Sequence, residues 1–108
     1  MPIIQREELE KILREVKSRL QEILGDDLVE VILFGSYARG EAREDSDVDV
    51  LVVVKRWPSV EELEGIGKLS AGLVLKYGVV FSLIPYVENP KMSSDPLIWN
   101  VSTEGIRI

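Results

Sequence analysis

One stretch of this 108-residue chain, residues 31–54, constrains the possible folds more than any other. It reads VILFGSYARGEAREDSDVDVLVVV, so that a polar segment separates two apolar runs. Runs of this length that are rich in Val, Ile and Leu are typical of strands buried on both faces of a sheet. We therefore predict strands at residues 28–34 and 47–54, with a turn and a charged loop between them.

The polar residues at the inner ends of these two strands suggest a binding site. Side chains alternate across a strand, so Asp47 and Asp49 should lie on one face. Two such carboxylates can hold a Mg²⁺ or Mn²⁺ ion that also binds triphosphate oxygens. The turn suits the phosphates, because Gly35 permits close backbone approach, Ser36 adds a hydroxyl and Arg39 adds a planar cation. Each part alone also fits an ordinary reverse turn or a solvated loop.

The spacing of these residues resembles the signature of the DNA polymerase β-like nucleotidyltransferase superfamily. The match is nearest to its minimal nucleotidyltransferases (MNT), whose pattern is Gly-Ser, ten residues and Asp-x-Asp, as found here. The sequences GSYARG and SDVD also resemble the family's usual forms. The resemblance implies an α/β (α+β) nucleotidyltransferase fold, with a mixed sheet of four or five strands and helices packed on one side. We expect a single domain over residues 1–108.

The resemblance also implies an activity and a partner. It makes Asp47 and Asp49 the catalytic metal ligands, and Gly35, Ser36 and Arg39 the residues that bind the nucleotide phosphates. ATP would be the substrate, and AMP the transferred group. Minimal nucleotidyltransferases are commonly antitoxins paired with a HEPN-domain toxin, and some transfer AMP to a tyrosine of that toxin. This chain contains no histidine and so lacks the toxin's Arg-to-His motif, which makes it the antitoxin partner.

The chain departs from the family pattern at a third carboxylate, which many active members carry on a later strand. That strand is predicted here at residues 79–86 and contains no acid. Ser82 is the polar residue expected at the position, and a hydroxyl cannot replace an anionic base or ligand. Glu88, just beyond the strand, is a weaker candidate. An alternative is therefore a weak or inactive antitoxin that neutralises its partner by binding alone.

The composition limits the other possible functions. With neither cysteine nor histidine, the chain cannot form disulfides, zinc-thiolate sites or imidazole-based catalytic groups. A net charge of −6 argues against direct binding of nucleic acid. The apolar runs are too short to cross a membrane and no signal peptide is visible, so we expect a cytoplasmic protein. Transfer to a small molecule would need a second acceptor-binding surface, which a homo-oligomer could provide.

Helices and turns are predicted around the two strands. An apolar stripe predicts an amphipathic helix at residues 5–24, and Ser59 and Glu62 form a capping-box pattern before a helix at residues 60–77. Short helical segments are expected at residues 37–42 and 96–100. Val29, Val31 and Leu33 should share one face of the first strand; Pro85 should lie at a sheet edge or bulge, and Trp57 forms either a loop lid, which we favour, or a nucleobase platform.

Overall fold

A four-stranded mixed sheet forms the centre of the molecule. The computed structural model describes residues 3–96, 98, 101 and 104–108. Its strands are β1 (Leu28–Phe34), β2 (Val48–Val54), β3 (Phe81–Val87) and β4 (Ile106–Arg107), arranged in the order β3-β2-β1-β4. Strand β1 is antiparallel to β2 and β4, whereas β2 and β3 are parallel. The predicted mixed sheet is therefore confirmed.

Two long helices, α1 (Arg6–Leu24) and α3 (Val60–Tyr77), pack against one face of this sheet. The capping box at the start of α3 is confirmed: Glu62 N–H donates to Ser59 Oγ at 3.1 Å, and Ser59 N–H donates to Glu62 Oε1 at 2.8 Å. Such a box satisfies two N–H groups that a helix start leaves unpaired. Among the described residues, no helix is long and apolar enough to cross a membrane.

The short helix α2 (Ser36–Arg39) follows β1 directly. It begins one residue earlier than predicted and ends at Arg39 instead of continuing to Ala42. The helix stops because Gly40 has a left-handed backbone, with φ of 72°, and such a residue ends a helix. The turn after β1 is consequently tight and brings Arg39 close to the end of the sheet.

The main core lies between the sheet and helices α1 and α3. It is built from aliphatic residues of both helices and from one face of β1 and β2, including Leu9, Leu13, Leu20, Val31, Leu33, Val50 and Val52. The opposite face carries a smaller cluster, in which Leu51 and Val53 pack with Ile98 and Val101. Pro96, Ile98 and Val101 are helical, in agreement with a helical turn there. Residues 97, 99 and 100 of that predicted turn lie outside the described part of the chain.

The start of β1 corrects the predicted assignment of faces. Val29 was expected to share the buried face of Val31, but 43% of its surface is exposed. Leu28 packs against the main core instead. The register of β1 against β2 shifts between Leu28 and Glu30. Such a β-bulge adds one residue to β1, so the side chains before the bulge point to the opposite faces from those that simple alternation predicts.

The connection from β2 to β3 determines which ends of the strands meet. Parallel neighbours cannot be joined by a hairpin, and here α3 forms the crossover. The starts of β2 and β3 therefore lie at the same edge of the sheet as the end of β1, which is antiparallel to β2. Pro85 lies in β3, which is an outer strand as predicted.

Candidate functional site

The predicted site residues come from two separate segments of the chain. The segments meet where β1 ends and β2 and β3 begin. Asp49 of β2 is paired with Phe34, the last residue of β1, on one side and with Ser82 of β3 on the other. Asp47 immediately precedes β2, whose first residue, Val48, donates its N–H to Val80 O at 2.9 Å. The turn after β1 and the two carboxylates are thus neighbours in space.

Asp47 and Asp49 form a pair of like charges. Val48 between them is fully buried, so strand alternation sends both carboxylates to the opposite side. Asp47 is exposed and Asp49 is half-buried. Burial raises the pKa of Asp49 above its usual value, the charge of Asp47 raises it further, and Arg39 lowers it only in part. Two adjacent carboxylates with so little compensation are suited to a divalent cation.

Gly35 lies directly against the Asp49 carboxylate. A Cβ at this position would collide with Asp49 Oδ2 and lie 3.3 Å from its Cγ. Gly35 also has a φ of 74°, which other residues rarely adopt. Both the backbone conformation and the contact therefore require glycine here.

The first turn of α2 lies beside the Asp49 carboxylate, which Gly35 contacts. The N–H groups of Ala38 and Arg39 donate to Gly35 O at 3.1 and 3.2 Å. The amides of Ser36 and Tyr37 precede this hydrogen-bonded turn, and amides in that position are available to an anion. The buried Tyr37 anchors the turn, since its hydroxyl accepts a hydrogen bond from Ile4 N–H at 3.4 Å.

Arg39 has two acidic partners that sequence reasoning missed. Its Nε donates to Glu41 Oε2 and its Nη1 donates to Glu104 Oε2, each at 3.1 Å. These hydrogen bonds raise the pKa of Arg39. Glu41 is close to Arg39 in sequence and could have been considered, but Glu104 is 65 residues away and no local pattern indicates the contact.

Ser82 occupies the position in register with Asp49 at which a third carboxylate was sought. Glu88 cannot replace it, because Glu88 N–H donates to Val54 O at the other end of β2. That end is about 17 Å from Asp49, at roughly 3.3 Å per strand residue. Within the described ranges, no group of three or more acidic, Cys or His side chains could hold a metal. Asp47 and Asp49 alone fit a Mg²⁺ ion that completes its shell with phosphate oxygens and water.

A cavity of about 520 Å³ opens beside Asp47. Its lining comes from the loop before β2 and from the residue before β3: Arg43, Glu44, Asp45, Ser46, Asp47 and Val80. Ser46 Oγ accepts a hydrogen bond from Arg43 N–H at 2.8 Å and so shapes the loop. Glu44 and Asp45 are exposed. Volumes in this range are typical of small-molecule sites.

Trp57 lies far from the carboxylate pair. It follows the far end of β2, and 59% of its surface is exposed. Strand β2 separates Trp57 from the carboxylate pair, which excludes a nucleobase platform there, whereas the role as a loop lid stays a prediction.

Comparison with known proteins identifies the family. The chain matches the model of the nucleotidyltransferase domain over residues 9–102. It is 42% identical over 97 residues to a Methanocaldococcus jannaschii protein named as a presumed protein adenylyltransferase, and the match covers 90% of this chain and 98% of that protein. It is also 43% identical over 83 residues to the protein adenylyltransferase MntA of Thermococcus cleftensis, covering 70% and 82% respectively. The chain therefore belongs to the nucleotidyltransferase domain family and, within it, is a minimal nucleotidyltransferase.

Solved structures share this fold. A structure described as a presumed minimal nucleotidyltransferase is 30% identical, with a TM-score of 0.54, and the match covers 93% of this chain and 95% of that one. A toxin–antitoxin crystal structure with AMP-PNP matches at a TM-score of 0.57 and 21% identity, over 91% and 69% of the two chains. A complex of tri-AMPylated Shewanella oneidensis HEPN toxin with MNT antitoxin matches at 0.57 and 17%, with the same coverage. The last two matches, being below 25% identity, establish the fold alone.

Proposed function

We propose that this chain is a metal-dependent protein adenylyltransferase that transfers AMP from ATP to a hydroxyl group of a HEPN-family toxin. The observation that carries the proposal is the contact between Gly35 and the Asp49 carboxylate, which joins a phosphate-binding turn to a pair of metal ligands. The names of the relatives support the reaction, and the HEPN toxin complexes among the structural neighbours support the partner. The site of action would be the cytoplasm.

Each site residue has a defined role in this proposal. Asp47 and Asp49 hold Mg²⁺ or Mn²⁺, which when bound neutralises phosphate charge. The amide and hydroxyl of Ser36 donate to phosphate oxygens, and Gly35 allows the backbone to approach them. Arg39 binds a phosphate through its planar guanidinium.

The reaction breaks a phosphoanhydride bond of ATP and forms a phosphodiester bond to the toxin. A toxin hydroxyl oxygen bonds to the α-phosphorus of ATP, the bond from that phosphorus to the bridging oxygen breaks, and pyrophosphate leaves. The hydroxyl proton must pass to solvent or to a base on the toxin, because the neutral hydroxyl of Ser82 is too weak a base to accept it at neutral pH. Positioning and charge stabilisation then supply most of the rate enhancement.

The first test is nucleotide binding. Calorimetry with ATP, with and without Mg²⁺, should show metal-dependent binding by the wild type and none by the Asp47→Ala/Asp49→Ala double variant. The second test incubates the chain with ATP, Mg²⁺ and a purified HEPN partner, and measures the intact mass of that partner. Addition of adenylyl groups should fall by at least about 100-fold in Asp49→Asn, since the metal site is lost.

Glu88→Gln is the matched control for the transfer assay. It removes one carboxylate from the same sheet, at the end opposite to Asp49, and should leave AMP transfer unchanged. Equal transfer by Asp49→Asn and the wild type would overturn the proposed mechanism.

A second candidate function rests on Ser82, which provides no third carboxylate opposite Asp49. In that case the chain neutralises its toxin by binding alone. The two functions differ in a toxicity assay with purified components: Asp49→Asn would still neutralise the toxin if occlusion suffices, and would fail if AMP transfer is required.

A further inference from the structure

Glu104 and Gly105, near the end of the chain, have no role in the nucleotide chemistry described above. Glu104 nevertheless lies in the site, because its Oε2 accepts a hydrogen bond from Arg39 Nη1 at 3.1 Å. Glu41 Oε2 accepts the hydrogen bond from Arg39 Nε at the same distance. The cation assigned to the phosphates is therefore already paired with two carboxylates.

Gly105 explains how Glu104 reaches this position. The N–H of Gly105 donates to Val101 O at 2.6 Å. A Cβ on Gly105 would collide with that same oxygen and would lie 2.7 Å from Ile32 Cγ2. The chain then enters β4, where Ile106 pairs with Leu33 of β1. This close packing places the Glu104 carboxylate beside the turn that begins at the end of β1.

A triphosphate can replace the carboxylates that are paired with Arg39. Carboxylate and phosphate oxygens bind guanidinium through the same N–H donors. The Arg39 and Glu104 side chains are 39% and 43% exposed, so an incoming anion can reach them. Exposed ion pairs of this type contribute little to stability and exchange readily.

On the basis of the proposed nucleotide site, we infer that Glu104 is an intramolecular competitor for the triphosphate. It pairs with Arg39 while the site has no nucleotide, and phosphate binding displaces it. Release of Glu104 removes one of several contacts of the C-terminal segment, which is also held by a hydrogen bond from Lys17 Nζ to Ile108 O at 2.7 Å and by an ion pair of Arg107 with Glu30. The C-terminal segment thereby responds to the nucleotide state of a site to which it contributes no metal ligand.

The first measurement is the affinity for MgATP, by calorimetry at low ionic strength. Glu104→Gln removes the competing charge and keeps the size of the side chain, so binding should tighten by roughly two- to fivefold, as expected for an exposed pair. Glu44→Gln is the matched control, because Glu44 lines the neighbouring cavity, has the same charge, and lies outside the Arg39 pairing in the described part of the chain. Thermal unfolding verifies that both variants are folded.

The second measurement is amide hydrogen exchange of residues 106–108, followed by mass spectrometry. Ile108 N–H donates to Val31 O at 2.9 Å, so its exchange reports on the pairing of β4 with β1. In the wild type, saturation with MgATP should accelerate this exchange by no more than about fivefold, because the lost ion pair is exposed and the other contacts of the segment remain. In Glu104→Gln the exchange should already be raised by the same small factor without nucleotide and should change little when MgATP is added.

The outcomes separate this inference from the function on which it rests. Tighter binding by Glu104→Gln than by Glu44→Gln, with faster exchange on saturation, supports the competition. Equal tightening by the two variants, weaker binding by Glu104→Gln, or unchanged exchange in the saturated wild type overturns the competition and leaves the nucleotide site intact. Absence of MgATP binding in all three folded proteins overturns both proposals together.

Discussion

Asp49 lies at the start of strand β2, and Asp27, which precedes β1, lies beside the other end of β2. The two aspartates have contrasting surroundings. The Asp27 carboxylate accepts a hydrogen bond from Arg56 Nε at 2.6 Å, and its backbone oxygen accepts one from Lys55 N–H at 2.9 Å. Asp49 is half-buried beside a second carboxylate, Asp47, and its pKa is raised by burial and by that neighbouring charge. One end of the strand neutralises its acid, and the other accumulates negative charge.

This difference is consistent with the proposed metal-binding role of Asp49. A folded chain gains nothing from crowding Asp49 against Asp47, since burial and repulsion both disfavour the charged form. Asp27, in contrast, has a counter-ion within its own chain. We propose that the compensating charge of Asp49 comes from outside the protein, as expected of a metal ligand.

The largest expected effect is on the rate of AMP transfer, and it comes from adding a carboxylate beside Asp49 at the start of β2 and β3. Ser82→Asp places a carboxylate in register with Asp49 and should raise the rate of AMP transfer by about 100-fold, because a positioned general base typically contributes that much or more. The measurement is the single-turnover rate with ATP, Mg²⁺ and the HEPN partner.

Ile84→Asp is the control for this variant. Ile84 lies two residues further along the same face of β3, so the added carboxylate would sit about 7 Å from the position of residue 82. It should leave the transfer rate unchanged. A Ser82→Asp variant no faster than the wild type would mean that proton removal does not limit the reaction.

An intermediate effect is expected from Gly35→Ala, which tests the contact between the turn and Asp49. Gly25, which follows α1, has backbone angles similar to those of Gly35, with φ of 59° and ψ of −136° against 74° and −157°, but of the two only Gly35 has an atom in the way of a Cβ. Gly25→Ala should lower the free energy of unfolding by about 2 kcal/mol through backbone strain alone. Gly35→Ala should lower it by about 3 kcal/mol, because strain and collision add, and should abolish MgATP binding. Urea denaturation measures both losses, and equal values would argue against the contact.

The smallest effect is on the pH dependence of stability, in protein stripped of metal by a chelator. Because the folded state raises the pKa of Asp49, the stabilising contribution of its proton is complete below the ordinary value of 3.8 and is lost as the pH rises through the folded pKa. Asp49→Asn should therefore be slightly more stable than the wild type at neutral pH, and the gain should disappear in acid. Denaturation between pH 3 and pH 7, the range that brackets this change, measures it.

Asp27→Asn provides the opposite case. It removes the partner of Arg56 and should reduce stability at neutral pH. If both variants shifted stability in the same direction, the proposed contrast between the two ends of β2 would be wrong.

Features determined by neighbouring residues were predicted well from sequence. The capping box of Ser59 and Glu62 depends on a three-residue spacing, and both of its hydrogen bonds are present. The two apolar runs became adjacent strands because only a sheet interior could bury them on both faces. The likeness of the GSYARG and SDVD sequences to the minimal nucleotidyltransferases was confirmed by family membership. The roles of the individual site residues stay predictions.

Features that depend on distant contacts could not be predicted. The bulge that exposes Val29 results from how β1 aligns with β2, which alternation within β1 does not reveal. The pairing of Glu104 with Arg39 requires the C-terminal segment to return to β1 before the two side chains can meet. The distance between Glu88 and Asp49 likewise follows from the parallel register of β2 and β3. In each case the missing information is tertiary.

Pro85 also affects how copies of this chain can associate. It lies in the outer strand β3, and a proline is tolerated there when its missing N–H faces away from the sheet. A strand from another molecule that aligned with this edge would find a donor absent from the hydrogen-bonded ladder. Prolines on sheet edges are one of the means by which proteins prevent aggregation through strand addition. Any homo-oligomer of this chain should therefore form through its helices or loops, and not through a continuous intermolecular sheet at β3.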